Sequence, residues 1–188
     1  MSAQTATRQQ LIKRIQRVGE QQLPPETYSG FLQFAEQVLH VHPDDDQLDW
    51  QPESNFGVLF GLYRFASSRP QSKPLLKVFN PSAEEDGWSS KHTVIYYCQD
   101  DMPFLVDSLR MALNRLGMGI QLFESSVISL SRDNNGDFNH GSLAESNQRE
   151  SVGYILIDHS SEDAQLRSIH NALTAAMADV ALVGGSFE

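Results

Sequence analysis

Cysteine and basic residues are scarce in this chain, and it contains no long hydrophobic run. Cys98 is the only cysteine, which excludes an internal disulfide and a cysteine-based zinc site. The 14 Lys and Arg residues are outnumbered by 24 Asp and Glu residues, and no basic run could neutralise phosphates. No segment reaches the roughly 18 apolar residues that span a bilayer, and the amino terminus lacks a signal-peptide core. We therefore expect a cytoplasmic protein that binds neither nucleic acid nor membrane.

Residues 1–69 are predicted to form a helical subdomain. About 40% of the 188 residues are hydrophobic, as in an ordinary folded protein. Apolar residues recur at helical spacing in three segments, and the prolines at positions 24 and 43 end the first two. The residues that mark the three apolar faces are Leu11, Ile12, Ile15 and Val18; Tyr28, Phe31, Leu32, Ala35, Val38 and Leu39; and Phe56, Leu59, Phe60 and Tyr63.

Residues 70–91 are rich in proline and glycine and are predicted to be a connection with one short strand at residues 75–79. Residues 92–188 then have the order strand, helix, strand, strand, helix. The strands are predicted at residues 93–98, 120–132 and 152–157, with a polar surface loop at 138–150. This order predicts an α+β fold, an ACT-like or ferredoxin-like split β-α-β module whose last strand is missing or lies beyond the chain. An open sheet edge would then favour contact with another domain or subunit.

The segment from Asp100 to Ile120 carries the most specific pattern. Asp101 is expected to cap the following helix, Pro103 to lie in its first turn, and Gly117 to end it. Asp101-Met102-Pro103-Phe104-Leu105, followed by Leu116-Gly117-Met118-Gly119-Ile120, resembles the Asp-x-Pro-Gly-Leu pattern of ACT domains.

Further stretches extend the likeness over roughly residues 55–180. They are Val78-Phe79-Asn80-Pro81, Gly87-Trp88, His92-Thr93, Asp100 to Ser108, Arg132-Asp133, Gly136, Glu150-Ser151 and Ile157-Asp158. Together they resemble the amino-terminal region of the large bacterial NAD-specific glutamate dehydrogenases. Ser125-Ser126, where that family has a His-Pro pair, departs from the pattern.

The resemblance implies a parent enzyme that converts glutamate and NAD to 2-oxoglutarate, ammonia and NADH, with its catalytic part outside this chain. The chain itself is then expected to be an inactive regulatory or assembly segment, without catalytic, cofactor-binding or metal-binding residues. Other domains or subunits of the parent enzyme, and an amino-acid effector, are the implied partners. The alternative is a stand-alone ACT-like sensor that binds an amino acid.

The resemblance also places a candidate effector or interface site in the turn before the predicted helix. Its residues are Asp100, Asp101, Met102, Pro103, Phe104 and Asp107. Backbone N–H groups at a helix start can hold a carboxylate. Phe104 stands where ACT domains have the glycine that lets a ligand approach, so its ring is expected to obstruct or fill the pocket. A structural role, with Phe104 and Leu105 anchoring the helix to the sheet, is therefore favoured.

Other candidate sites have simpler interpretations. Gly117-Met118-Gly119 follows a helix and enters a strand, the reverse of a dinucleotide-binding turn. His40 and His42, followed by Asp44, Asp45 and Asp46, could ligate a metal but are more typical of a helix exit. The Asp133–Asp137 run suggests calcium, but its glycine is misplaced for an EF-hand and a hairpin turn at Asn135-Gly136 is preferred. Cys98 lies in an apolar strand and is expected to be an inert, buried thiol.

Overall fold

A computed structural model describes residues 3–39, 52–129, 131–138 and 148–184. Its fold is α+β, with five helices and a four-stranded antiparallel sheet in the described part, which confirms the predicted class. In chain order the elements are α1 (Ala3–Gln22), α2 (Pro25–Val38), α3 (Pro52–Ala66), β1 (Leu75–Phe79), β2 (Thr93–Asp100), α4 (Leu105–Arg115), β3 (Ile120–Ser129), β4 (Arg149–Ile157) and α5 (Asp163–Gly184).

The sheet has the strand order β1-β2-β4-β3, and every neighbouring pair is antiparallel. Val78 lies opposite Ile95, and Ile155 lies between Ile95 and Phe123. The order places β2 and β4 in the centre. Both central strands are buried over almost their whole length, as expected for strands covered on both faces.

In the described residues no strand follows α5, but the open sheet edge expected from this order is a wrong prediction, because a strand from earlier in the chain fills it. β1 pairs with β2 from Leu75, opposite Cys98, to Phe79, opposite Val94. This strand comes from the connection before the module. An antiparallel strand can pair with the free edge of β2 whether it precedes or follows the module in the chain. The edge beside β2 is thus closed within the chain, and β3 forms the other edge of the sheet.

Helices cover both faces of the sheet and create two apolar cores. β2 alternates between them: Val94, Tyr96 and Cys98 face α1, α2 and α3, whereas Ile95 and Tyr97 face α4 and α5. The amino-terminal helices therefore share a core with the sheet. The resulting architecture is a three-layer α/β/α sandwich, in which each helical layer buries its apolar stripe against one face.

Local sequence signals explain several boundaries. α1 ends before Pro24, and α2 begins with Pro25, which suits the first helical position. α4 ends in a Schellman motif: the N–H of Gly117 bonds to the Asn114 carbonyl at 3.0 Å, and that of Met118 to the Leu113 carbonyl at 3.1 Å. Gly117 has φ +70, the left-handed conformation that favours glycine, so the predicted helix stop is confirmed.

Three predicted boundaries differ from the structure. β3 ends at Ser129, three residues before the predicted end at residue 132. The predicted surface loop 138–150 is also wrong at both ends, because Phe138 is buried and β4 begins at Arg149. Phe138 packs against the rings of Phe34 and Tyr63, and this contact holds it in the core. Residues 139–147, in the middle of the predicted loop, lie outside the described residues, as does the predicted helix exit at His42-Pro43.

Candidate functional site

The turn between β2 and α4 adopts a conformation that sequence reasoning did not anticipate. Phe104 occupies the N-cap position of α4 with φ +66 and ψ +4, in the left-handed region, and no side chain caps the helix. Its side chain is 72% exposed, whereas the neighbouring Leu105 is buried at 2%. Leu105 therefore anchors α4, as predicted, but Phe104 neither anchors the helix nor fills a pocket. A non-glycine residue in this conformation is strained by about 1–2 kcal/mol.

Asp101 does not cap α4, which corrects the prediction. Its backbone N–H bonds to the Arg149 carbonyl at 3.0 Å, and its carboxylate lies 3.5 Å from Arg149 Nη2. These contacts hold Asp101 beside β4, so the helix begins only at Leu105, and Pro103 precedes the helix instead of lying in its first turn.

The other candidate residues point in different directions. Met102 packs towards the core beneath α4, and its sulfur lies 4.0 Å from Gln99 Nε2. Asp107 is exposed in the first turn of α4. Asp100 ends β2 and bonds to Arg69, 2.7 Å from its carboxylate to Nη1. The structure thus brings the six residues into one turn without converging their side chains on a common point.

Beneath this turn lies a buried ionic cluster that the sequence did not reveal. Glu150 accepts two hydrogen bonds from Arg132, from Nε to Oε1 and from Nη2 to Oε2, each 2.8 Å long. Arg69 Nη1 lies 3.1 Å from Glu150 Oε1. The side chains of Arg69, Arg132 and Glu150 are at most 5% exposed, whereas that of Asp100 is 55% exposed. Two guanidinium groups and two carboxylates make the cluster neutral.

The cluster joins three parts of the fold. Arg69 follows α3 and donates from Nε to the Lys73 carbonyl at 2.8 Å. Arg132 donates to the carbonyls of Gly136, at 2.7 Å, and Ala66, at 2.9 Å. Glu150 contributes the second residue of β4. The guanidinium groups are thus satisfied by carbonyl groups as well as by carboxylates, which buried ions require.

The titration properties of the cluster indicate a structural role. Burial raises the pKa of Glu150, but the hydrogen bonds and charge of Arg132 outweigh burial, so its pKa lies below its ordinary value. Burial and the neighbouring Glu150 carboxylate raise the pKa of Cys98 far above its usual range. The Cys98 thiol, fully buried and 3.1 Å from Glu150 Oε2, stays protonated and is a poor nucleophile, as predicted.

A recess of about 630 Å³ lies on the opposite helical layer, between α3 and β1. Trp88 and Tyr96 form part of its wall and pack against Gly57 and Gly61 of α3, where a Cβ atom would clash with them. Lys77, at its rim, lies 3.9 Å from the centre of the Phe79 ring and 3.8 Å from Asp86. The lysine is thus held by an aromatic ring and a carboxylate.

Of the two remaining candidate metal motifs, the Asp133–Asp137 run lies in the described residues and forms a turn. The Asp133 carboxylate accepts hydrogen bonds from the N–H groups of Asn135, at 2.8 Å, and Asp137, at 3.0 Å, and closes the predicted turn at Gly136. His40 and His42 lie outside the described residues. Within the described ranges, no group of three or more His, Cys, Asp and Glu side chains could hold a metal ion.

No helix in that part of the chain combines the length and hydrophobicity needed to cross a membrane.

Comparison with known proteins gives a consistent result. The family model of the glutamate dehydrogenase ACT1 domain matches residues 34–173. The NAD-specific glutamate dehydrogenase of Pseudomonas aeruginosa is 30% identical over 177 residues, which are 92% of this chain and 11% of that protein. That of Halomonas elongata is 29% identical over 190 residues, 99% of this chain and 12% of that protein. No solved structure matches. The chain thus spans only about a tenth of the length of these relatives, and it belongs to the glutamate dehydrogenase ACT1 domain family.

Proposed function

We propose that this chain is a non-catalytic regulatory and assembly segment of a large NAD-dependent glutamate dehydrogenase. The parent reaction would be the oxidation of glutamate by NAD to 2-oxoglutarate, ammonia and NADH, in the cytoplasm. Support comes from the relatives, which are named as NAD-specific glutamate dehydrogenases and are roughly nine times as long as the matched part. In this proposal NAD and glutamate bind to the parent enzyme outside this chain.

Phe104 is the observation that carries the assembly role. An aromatic ring that is 72% exposed, held in a backbone conformation that suits glycine, leaves apolar surface in water and strains the backbone. Aromatic residues contribute strongly when they are buried against a partner protein. The strained and exposed Phe104 is therefore better explained by contact with another domain or subunit than by folding of this chain alone.

The chemistry of the buried groups supports a non-catalytic role. Arg69, Arg132 and Glu150 are paired with one another away from solvent, and Cys98 is buried with a raised pKa. A catalytic acid, base or nucleophile needs access to a substrate and a pKa near the working pH. None of these four residues meets both conditions.

The proposal is tested in the whole parent enzyme with Phe104→Asn. Asparagine tolerates the left-handed conformation, so the variant removes the ring without adding strain. We expect weaker assembly in sedimentation experiments and an unchanged kcat for the assembled fraction. The control is Asn114→Ala, an exposed change on the same helix, which should alter neither property.

The alternative, an amino-acid sensor, makes the opposite prediction. If the turn captures an effector, Phe104→Asn should leave assembly unchanged and alter the response of the enzyme to one amino acid. That outcome would reject the assembly role and support the sensor.

A further inference from the structure

Asn135 lies exposed in a turn and is the one asparagine of the chain that is followed by glycine. The side-chain amide of an asparagine can be attacked by the backbone nitrogen of the next residue. Glycine hinders this attack least, because it has no side chain and reaches the widest range of backbone angles. Gly136 has φ +88 and closes the turn that begins at Asp133. The two reacting groups are therefore adjacent, and the Asn135 side chain is open to water.

Gly136 also connects this turn to the buried ionic cluster. Its carbonyl accepts hydrogen bonds from the Arg69 backbone N–H at 2.9 Å and from Arg132 Nη1 at 2.7 Å. A Cβ atom on Gly136 would collide with the Arg69 carbonyl, so no space is left on that side of the glycine. Both arginines contact Glu150 inside the protein. A displacement of Gly136 is thus transmitted directly to the two arginines of the cluster.

We propose that Asn135 is a site of spontaneous deamidation, and that the isoaspartate product disturbs the buried ionic cluster. Base in the solvent removes the N–H proton of Gly136, and the nitrogen then bonds to the side-chain carbonyl carbon of Asn135. The bond from that carbon to the amide nitrogen breaks, and ammonia leaves with a proton from water. Water then opens the cyclic imide at either carbonyl. Opening at one carbonyl gives aspartate, and opening at the other gives isoaspartate, in which the main chain runs through the former side chain.

Asp133 restrains this reaction. Its carboxylate accepts the N–H groups of Asn135 at 2.8 Å and Asp137 at 3.0 Å, and its backbone carbonyl accepts that of Gly136 at 3.0 Å. The attacking nitrogen must lose the proton that it donates in the last of these bonds. The reaction therefore proceeds through the fraction of molecules in which the turn has opened. Removal of the Asp133 carboxylate should raise that fraction.

The consequence for the fold follows from the length of the main chain. Isoaspartate at position 135 inserts a methylene group into the backbone directly before Gly136. The glycine cannot then keep both its turn and its contacts with Arg69 and Arg132, since the Arg69 carbonyl leaves it no space. Either product also adds a negative charge to a turn that already contains two aspartates, Asp133 and Asp137. Isoaspartate should therefore destabilise the fold more than aspartate, which keeps the normal backbone.

The modification is tested by incubating the chain for several weeks in mildly alkaline buffer at body temperature, followed by peptide mass spectrometry. We expect the peptide that contains Asn135 to gain the mass difference between an amide and an acid, and protein-isoaspartate methyltransferase to label it. Asn134 is the internal control, because it lies in the same turn but is not followed by glycine. Absence of conversion at Asn135, or equal conversion at Asn134, would overturn the site.

Two variants test the restraint. Asp133→Ala should accelerate conversion about tenfold, the effect of losing a hydrogen bond to a charged group. Asp137→Ala is the matched control, since it removes a charge from the same turn but keeps the bonds to the Asp133 carboxylate, and its rate should stay close to that of the unmodified chain. Thermal melts verify that both variants are folded. Equal rates in the two variants would show that the Asp133 carboxylate does not hold the turn closed.

The effect on the cluster is measured by urea unfolding of the converted chain. Ion exchange separates the deamidated fraction from the unmodified chain by its additional negative charge. This fraction should unfold at a lower urea concentration than Asn135→Asp, which has the same charge but the normal backbone. If the deamidated fraction is as stable as Asn135→Asp, the lengthened backbone does not reach Arg69 and Arg132, and the coupling to the cluster is overturned.

Discussion

Arg132 holds Glu150 in a bidentate ion pair inside the protein, with both nitrogen-to-oxygen distances at 2.8 Å. The same carboxylate lies 3.1 Å from the buried Arg69. One carboxylate on β4 thus contacts two guanidinium groups that belong to other segments of the chain. The stability of this region therefore depends on Glu150 more than on the exposed carboxylate of Asp100.

Glu150→Ala should destabilise the fold by about 3–5 kcal/mol, because it leaves two buried guanidinium groups without their shared partner. Urea unfolding measures the change. Asp100→Ala is the matched control, since its carboxylate bonds to the same Arg69 but its side chain is 55% exposed; there we expect a loss of about 1 kcal/mol or less. Equal losses in the two variants would mean that burial does not set the energetics of the cluster.

Stability should also fall in acid because of Glu150. A carboxyl group with a lowered pKa in the folded chain stabilises the fold fully above its unfolded pKa, near 4.5, and loses that contribution as the pH drops through the lower folded value. Unfolding free energies of the unmodified chain and Glu150→Gln should thus differ most above pH 4.5 and converge in stronger acid. A difference that grows as the pH falls would contradict the assigned direction of the shift.

Adjacent residues in the turn before α4 should respond in opposite directions. Leu105→Ala removes a fully buried side chain and should cost about 2–5 kcal/mol, whereas Phe104→Gly relieves the left-handed conformation and should stabilise the fold by up to about 1 kcal/mol. Denaturant unfolding of both variants tests the turn. A loss under about 0.5 kcal/mol for Leu105→Ala would show that this face of α4 is not buried.

The isolated chain should neither bind NAD appreciably nor convert glutamate. Gly117 ends a helix with φ +70, and Gly119 packs against the Asp158 carboxylate, so this glycine pair does not form a phosphate-binding turn. Calorimetry with NAD and an assay of NADH formation measure the two properties. Micromolar binding of NAD would reject the view that the cofactor site lies outside this chain.

Local patterns predicted most elements of the fold, because their causes are local. The alternation of Val94 and Ile95 between two cores, the stop at Gly117 and the turn at Gly136 all follow from neighbouring residues. The position of β1 beside β2 could not be read in this way, since five residues that fit an edge strand do not reveal their partner.

The ionic cluster was missed for a related reason. Arg69, Arg132 and Glu150 are far apart in sequence, and charged residues are usually exposed. Arg132 and Glu150 do lie within stretches that resemble the dehydrogenase family, which is the only sequence signal that could have drawn attention to them. Phe104 was misjudged because phenylalanine is usually buried, whereas here it has a left-handed backbone and a side chain exposed to solvent.

Contact between protein surfaces, and not effector capture, is the central claim, and sedimentation of the chain over a wide range of concentrations tests it most directly. The measurement is made with and without a mixture of amino acids, because an effector that binds the dimer and the monomer with different affinity would shift the association equilibrium. We expect the average mass to rise towards that of a dimer with increasing concentration, equally in both conditions. A monomer at every concentration would contradict contact between copies of this chain, and association that appears only with an amino acid would support effector capture instead.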